Sequence, residues 1–133
     1  MTDLNFEDII GRYFNLNLKK DNYRIYVEEA GQGTPLLCLH TAGSDGRQFR
    51  HILNDKRITN NYRVIVFDLP WHGKSNPPEG YELKDYKLTT NLYKEIIMSF
   101  CKQYKLIDPV IMGCSMGGRV VLHLALEHCD YFK

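Results

Sequence analysis

Three short runs of the sequence are apolar at nearly every position: residues 36–39, 64–67 and 110–112. A strand with one covered face alternates apolar and polar residues, whereas a strand covered on both faces stays apolar throughout. Segments with the apolar spacing of a helix lie between and after these runs. Their apolar positions are Phe49, Ile52 and Leu53, then Leu88, Leu92, Ile96 and Phe100, and finally Val121, Leu124 and Ala125. This alternation predicts an α/β fold, a mostly parallel sheet with flanking helices.

The chain before these runs has a different pattern. Residues 23–27 are alternating β-branched, aromatic and charged residues, and we expect an antiparallel hairpin over residues 13–27 with Asp21 and Asn22 as its turn. Two stretches rich in glycine and proline, residues 31–35 and 76–80, read as loops within one domain.

Charge and apolar length exclude several classes of function. The chain has 17 basic and 16 acidic residues, mixed along its length, which favours neither nucleic acid nor a membrane surface as a partner. Residues 1–8 are acidic and lack the pattern of a signal peptide, and no apolar run approaches the length of a membrane span. The four cysteines contain no Cys-x-x-Cys pair and read as buried thiols: Cys38, Cys101, Cys114 and Cys129. We therefore expect a cytoplasmic protein.

The third apolar run ends in a serine between glycines. Ser115 has Gly113 two residues before it and Gly117 two residues after it, and a helical pattern follows. A strand that reverses into a helix this tightly holds the serine in a strained backbone conformation and leaves no room for side chains two positions away. By chance alone, Gly-x-Ser-x-Gly occurs in roughly one chain in twenty-five of this size. The preceding strand, the following helix and the further Gly118 favour a functional turn with Ser115 as a candidate nucleophile.

The other two buried runs also end in distinctive loops. Residues 40–45 are mostly small, and such a loop can direct a backbone N–H at a developing oxyanion, although an ordinary connection capped by Ser44 or Asp45 would have the same composition.

After residues 64–67, a turn rich in proline and glycine contains Asp68 and His72. We expect Asp68 to stabilise this turn and His72 to be a poor candidate for a general base.

Together the three motifs resemble those of the α/β-hydrolase fold family, in its esterase and carbon–carbon hydrolase branch. The match runs from about Tyr23 to Lys133 and corresponds to the amino-terminal half of such an enzyme. The resemblance implies that Ser115 is the nucleophile and that the backbone N–H groups of Met116 and Ala42 form the oxyanion hole.

Two positions depart from the family pattern. Thr41 stands where a glycine usually follows the histidine, so its side chain restricts the loop that contains Ala42. Trp71 stands at another usual glycine and places an indole either at the rim of the active site or packed under a loop. We expect His40, Thr41 and Trp71 to be the residues at the rim of the pocket.

The family order of the triad, Ser then Asp or Glu then His, places both partners of Ser115 downstream. The downstream candidates are His123, Glu127, His128 and Asp130, which share the helix that follows Ser115 and should run away from the hydroxyl. The other three histidines are expected to be structural or exposed. Residues 1–133 are thus read as an incomplete hydrolase domain without the cap and the carboxyl-terminal strands. The expected partners are a small-molecule substrate and the missing half, either as a second chain or as an oligomer partner across an open sheet edge.

The leading functional hypothesis is hydrolysis of a carboxylic ester or a similar small acyl substrate through an acyl-enzyme, with no metal and no cofactor. One alternative is hydrolysis of a carbon–carbon bond in a diketone by the same fold. The others are a binding protein that has lost turnover and a truncated interaction module. An intact serine turn favours an enzyme, since a binding protein has little reason to keep strain around that hydroxyl.

Overall fold

The structure is a computed structural model that describes residues 4–133. The first three residues of the acidic amino-terminal stretch lie outside the described residues. The strands are β1 Ile10–Leu18, β2 Asp21–Ala30, β3 Thr34–Leu39, β4 Tyr62–Phe67 and β5 Val110–Gly113. The α-helices are α1 Arg50–Leu53, α2 Lys56–Thr59, α3 Thr90–Gln103 and α4 Met116–Glu127, and short 3-10 turns cover Gly46–Phe49 and Tyr81–Leu83.

The five strands form one mixed sheet in the order β1-β2-β4-β3-β5. Strand β3 runs parallel to both β4 and β5, whereas β2 is antiparallel to β1 and to β4. The predicted α/β class is confirmed, with its opening hairpin and its parallel strands before the serine. Because β3, β4 and β5 are parallel, the loops that follow them all lie at one edge of the sheet, called here the carboxyl edge.

The turn of the hairpin was placed wrongly from the sequence. The loop is formed by Lys19 and Lys20, while Asp21 and Asn22 already belong to β2 and pair with β1. Lys19 has the left-handed φ of 56° that a two-residue hairpin loop requires. The Asp21 carboxylate instead accepts a hydrogen bond from the Lys84 ammonium at 2.7 Å, an ion pair that the local pattern could not indicate.

The sheet buries apolar residues on both faces, as the unbroken apolar runs predicted. In β3, Leu37 and Leu39 join the larger core under α3 and α4, whereas Leu36 and Cys38 join the core under α1. All four side chains are at most 9% exposed. Strand β3 is therefore covered on both faces, and it lies between β4 and β5.

Strand β5 lies at the edge of the sheet formed by residues 4–133, as expected for the strand before the serine. On the adjacent helix α4, Leu122 and Leu126 are 69% and 83% exposed. An unpaired strand beside exposed leucines is a surface suited to pairing with a further strand and its helix.

The prediction for the cysteines is correct for two of the four. Cys38 and Cys101 are buried, and burial raises the pKa of each thiol to about 12. Cys114 and Cys129 are exposed, because Cys114 lies in the serine turn and Cys129 follows the end of α4. Within residues 4–133, no helix combines the length and the apolar character needed to cross a bilayer.

Candidate active site

Ser115 lies in a sharp turn between β5 and α4. Strand β5 ends at Gly113 and α4 begins at Met116, so the chain reverses within two residues. Ser115 has φ 50° and ψ −110°, a conformation that costs a residue with a Cβ about 1–3 kcal/mol. The residue is exposed, and its hydroxyl does not cap the helix that follows. The turn therefore presents an uncommitted hydroxyl at the carboxyl edge.

The glycines around Ser115 are required by close backbone approaches. A Cβ on Gly113 would lie 2.4 Å from the carbonyl carbon of Gly117, and a Cβ on Gly117 would lie 2.4 Å from the carbonyl oxygen of Leu39. Gly118 is less constrained, since its Cβ would lie 3.2 Å from the Gly113 oxygen. The predicted lack of room two positions before and after the serine is confirmed.

Backbone hydrogen bonds fasten the turn to β3. The Cys114 N–H donates to the Leu39 carbonyl at 3.1 Å, and the Arg119 N–H donates to the Ser115 carbonyl at 2.8 Å. Met116 is the first residue of α4, where N–H groups have no acceptor within the helix. Across residues 4–133, the structure gives neither the Met116 N–H nor the Ala42 N–H a hydrogen-bond acceptor. Neither N–H is therefore occupied by an acceptor from the described residues, and the oxyanion hole stays a prediction.

The loop that contains Ala42 is held by its neighbours. The Thr41 N–H donates to the side-chain oxygen of Gln48 at 2.9 Å, and Gly43 takes a left-handed φ of 66°. Asp45 ends the loop by capping the 3-10 turn, because its carboxylate accepts the Arg47 N–H at 3.0 Å. The Arg47 side chain also lowers the pKa of Asp45 to about 2. Ala42 itself is exposed, and Thr41 is half-buried.

His40 does not lie at a pocket rim, which corrects the prediction. Its ring is fully buried, its Nδ1–H donates to the Thr41 carbonyl at 2.8 Å, and its Nε2 accepts the Leu69 N–H at 3.1 Å. This arrangement requires the neutral ring, and burial lowers its pKa from the usual value near 6.5. His40 therefore joins the loop after β3 to the loop after β4.

The loop after β4 is organised by Asp68, as predicted. Its buried carboxylate accepts the Gly46 N–H at 2.7 Å and the Lys74 N–H at 2.8 Å. The Ser75 hydroxyl donates to the Asp68 carbonyl at 2.6 Å. His72 directs its Nδ1–H at the Pro70 carbonyl at 3.0 Å, so that nitrogen is occupied within the turn.

Trp71 packs in the loop after β4, and its place at the rim of the active site stays a prediction. It is 38% exposed, and its ring stacks on Tyr86 with centroids 4.9 Å apart and meets Tyr81 edge-on at 5.1 Å. Its φ of 69° is the left-handed conformation that a glycine adopts without cost. The two tyrosines were not found from the sequence, and the one available signal was a tryptophan at a position that calls for glycine.

The downstream histidines and acids do not approach Ser115. His123 lies eight residues further along α4, about 12 Å along the helix axis at 1.5 Å per residue. Its ring nitrogen is 3.9 Å from the Glu127 carboxylate, and the Lys94 ammonium, 2.6 Å from that carboxylate, lowers the pKa of Glu127. The predicted distance of this group from the hydroxyl is thus confirmed. Residues 4–133 also contain no group of three or more His, Cys, Asp or Glu side chains placed to hold a metal ion.

Comparison with known proteins identifies the family. The alpha/beta hydrolase fold family matches residues 34–133, and the chain belongs to it. A magnesium-chelatase 30 kDa subunit from Rhodobacter capsulatus is 33% identical over 95 residues, 71% of this chain and 31% of that protein. A pimeloyl-[acyl-carrier protein] methyl ester esterase from Vibrio vulnificus is 28% identical over 107 residues, 80% of this chain and 37% of that protein. The chain thus spans about a third of the length of these relatives.

Solved structures give the same fold. An epoxide hydrolase from Vigna radiata superposes with a TM-score of 0.78 and 21% identity, covering 95% of this chain and 38% of that one. A thermophilic esterase from Thermogutta terrifontis superposes with a TM-score of 0.77 and 21% identity, covering 91% of this chain and 43% of that one. At such identities the likeness establishes the fold alone.

Proposed function

We propose that this chain supplies the nucleophile and the oxyanion hole of a serine hydrolase that acts on a carboxylic ester. One observation supports this above all: the exposed Ser115 hydroxyl occupies a strained turn and is not used as a helix cap. Backbone strain at a residue with a reactive group is typical of functional sites. The esterase among the relatives favours an ester as the substrate.

The proposed reaction proceeds in two halves. The Ser115 oxygen attacks the ester carbonyl as its proton passes to a base, and the N–H groups of Met116 and Ala42 hold the negative oxygen of the tetrahedral intermediate. Collapse of the intermediate expels the alcohol, which takes up that proton, and leaves an acyl group on Ser115. Water, deprotonated by the same base, then releases the acid and restores the serine. This reaction requires no metal and no organic cofactor.

We propose that the base and its orienting acid come from outside these 133 residues. Both ring nitrogens of His40 are bonded within the loops, the Nδ1–H of His72 is held by the Pro70 carbonyl rather than by a carboxylate, and His123 lies about two helical turns beyond the hydroxyl. We infer that the completing half, a further part of the same polypeptide or a second chain, pairs along β5 and covers Leu122 and Leu126 on α4. Such a partner would bring the imidazole to the carboxyl edge and would bury the exposed leucines.

Labelling with a fluorophosphonate tests the nucleophile. The protein with its completing half should be labelled at Ser115, and Ser115→Ala should abolish both labelling and ester hydrolysis. The matched control is Ser44→Ala in the neighbouring loop, which should leave labelling unchanged. Labelling at another residue, or undiminished hydrolysis by Ser115→Ala, would refute the assignment.

Native mass tests the partner. The 133-residue chain has a mass of 15.6 kDa. We expect it to associate with itself or with the completing half, and Leu122→Lys combined with Leu126→Lys should weaken that association. A folded, monodisperse species of 15.6 kDa would contradict the inferred role of the edge.

A further inference from the structure

The carboxyl edge contains a recess that the serine turn does not use. It has a volume of about 270 Å³, and its lining combines charged residues with an aromatic and aliphatic set: Leu18, Tyr23, Trp71, Pro78, Tyr81, Tyr86 and Leu92. We call this site the aromatic recess. A cavity of about 150 Å³ is enough to hold benzene, so the aromatic recess has room for one or two fused rings.

The rings of the aromatic recess are arranged by a strained residue. Trp71 holds a left-handed backbone that a bulky side chain rarely adopts, and its indole is fixed by Tyr86 on its face and Tyr81 at its edge. These contacts leave Trp71 38% and Tyr81 39% exposed. Strain that is maintained to hold an accessible ring in one orientation points to a ligand for that ring.

The charged side chains that line the aromatic recess are three lysines and three acids, so the lining has no net charge: Lys19, Lys84, Lys87, Asp21, Asp85 and Glu95. Lys84 pairs with Asp21 at 2.7 Å, and Lys19 pairs with Glu95 at 2.8 Å, so these ions neutralise one another. Burial raises the pKa of Tyr86 to about 12, and its hydroxyl donates to the Pro70 carbonyl at 3.4 Å. The surroundings therefore favour an uncharged, flat group over an ion.

The aromatic recess and Ser115 open at the same edge of the sheet. Trp71 follows β4 and Ser115 follows β5, with β3 between these strands. Two strand spacings amount to about 10 Å. The recess extends from Trp71 toward the start of β2, further from β5, because β2 runs antiparallel to β4. A ligand that reaches both sites needs a spacer of several bonds between its ring and its ester.

We propose that the aromatic recess binds an uncharged aromatic ring at the far end of the ester substrate, which makes arylalkyl esters the preferred substrate class. As a statement about substrates, this rests on the proposed function of Ser115. As a statement about a binding site for aromatic rings, it stands without that function.

Binding is tested through Trp71, which is the one tryptophan of the 133 residues. Titration with 2-naphthol should quench its fluorescence saturably, whereas the saturated analogue decahydro-2-naphthol should bind at least fivefold more weakly. Trp71→Phe supplies the fluorescence background. Tyr86→Leu should weaken naphthol binding at least fivefold, while Tyr86→Phe, which keeps the stacked ring, should restore it. Equal affinity for the two alcohols, or naphthol binding unaffected by Tyr86→Leu, would overturn the proposal.

Substrate preference is tested with the complete enzyme. Methyl 8-phenyloctanoate, whose chain is long enough to span the two sites, should have a kcat/KM at least fivefold above that of methyl 8-cyclohexyloctanoate, although the saturated ring is the more hydrophobic. Tyr86→Leu should abolish this ratio, and Tyr62→Leu, an exposed tyrosine of β4 outside the recess, should leave it intact. Absence of the ratio in the unaltered enzyme would refute the substrate class.

The two proposals fail in distinguishable ways. Ser115→Ala should keep its affinity for 2-naphthol and lose hydrolysis. Hydrolysis by Ser115→Ala would refute the nucleophile and leave the ring site in place. Loss of aryl discrimination in an enzyme still labelled at Ser115 would refute the ring site alone.

Discussion

Replacement of Gly117 by alanine tests the packing that shapes the serine turn. The added Cβ would lie 2.4 Å from the carbonyl oxygen and 2.8 Å from the Cβ of Leu39, well inside van der Waals contact. Leu39 is 1% exposed and belongs to β3, which is paired on both sides, and its carbonyl also accepts the Cys114 N–H, so its displacement would be costly. Overpacking costs about 1–3 kcal/mol, and the rigid backbone here places the cost near 3 kcal/mol.

Gly118→Ala is the matched control, because it makes the same chemical change one residue later in the same helix. Its Cβ would lie 3.2 Å from the Gly113 oxygen, which a shift of a few tenths of an ångström relieves. Both variants gain up to about 1 kcal/mol from the helix preference of alanine and from the lower entropy of the unfolded chain. We therefore expect Gly117→Ala to lose about 2 kcal/mol of unfolding free energy and Gly118→Ala to change it by less than about 1 kcal/mol.

Urea denaturation of the complete protein, followed by far-ultraviolet circular dichroism, measures this difference directly. The midpoint of Gly117→Ala should fall at an unchanged m-value, and its rate of fluorophosphonate labelling should fall as well, since the turn must open to admit the methyl group. Equal midpoints for the two variants would mean that the turn does not rest against β3 as described.

Three further outcomes follow from buried and exposed groups. Because the pKa of His40 is lowered in the folded state, its contribution to the free energy of unfolding should be fully present above pH 6.5 and should decline as the pH falls toward the lowered pKa. Urea midpoints measured across this pH range should show a smaller decline in His40→Gln. Asp68→Asn should destabilise the protein by about 2 kcal/mol, because one amide oxygen replaces the two carboxylate oxygens that accept buried or half-buried N–H groups. The control Asp130→Asn, at an exposed site, should change stability by less than about 0.5 kcal/mol in the same assay. A thiol reagent should modify Cys114 and Cys129 in the native protein and the remaining two cysteines only on unfolding, which peptide mass mapping would check.

The local sequence pattern predicted the structure of a segment correctly where a single requirement, such as burial on two faces or a close backbone contact, determines its residues. The all-apolar run at residues 36–39, short and preceded by a loop rich in glycine and proline, indicated a strand covered on both faces, and the glycines around Ser115 indicated the serine turn. The hairpin turn failed because Asp21 and Asn22 have the composition of a turn, yet Lys19 takes the left-handed conformation and Asp21 pairs with a residue 63 positions away. A pattern read over about ten residues does not indicate ion pairs between residues so far apart in the sequence.

The role of His40 shows a second limit. A histidine at the end of a strand beside a candidate nucleophile reads equally well as a site residue or a structural one. The difference is made by the Leu69 N–H, 29 positions away, which donates to its Nε2. The aromatic recess has the same origin, since Trp71, Tyr81 and Tyr86 are brought together by the path of a loop rather than by a periodic pattern.

Left-handed backbone alone does not mark a functional residue in this chain. The left-handed φ of Lys19 belongs to the hairpin turn. Lys105 ends α3 in a Schellman motif, in which the Lys105 N–H donates to the Lys102 carbonyl and the Leu106 N–H donates to the Cys101 carbonyl. Ser115 and Trp71 differ from these lysines because their side chains are held for other contacts. One presents a hydroxyl that does not cap its helix, and the other holds an indole between two tyrosines. Asp108, with a φ of 44°, lies before β5 at the opposite edge of the sheet, so left-handed backbone is not confined to the carboxyl edge. Ser115 and Trp71 both lie at the carboxyl edge, where the proposed substrate would be bound.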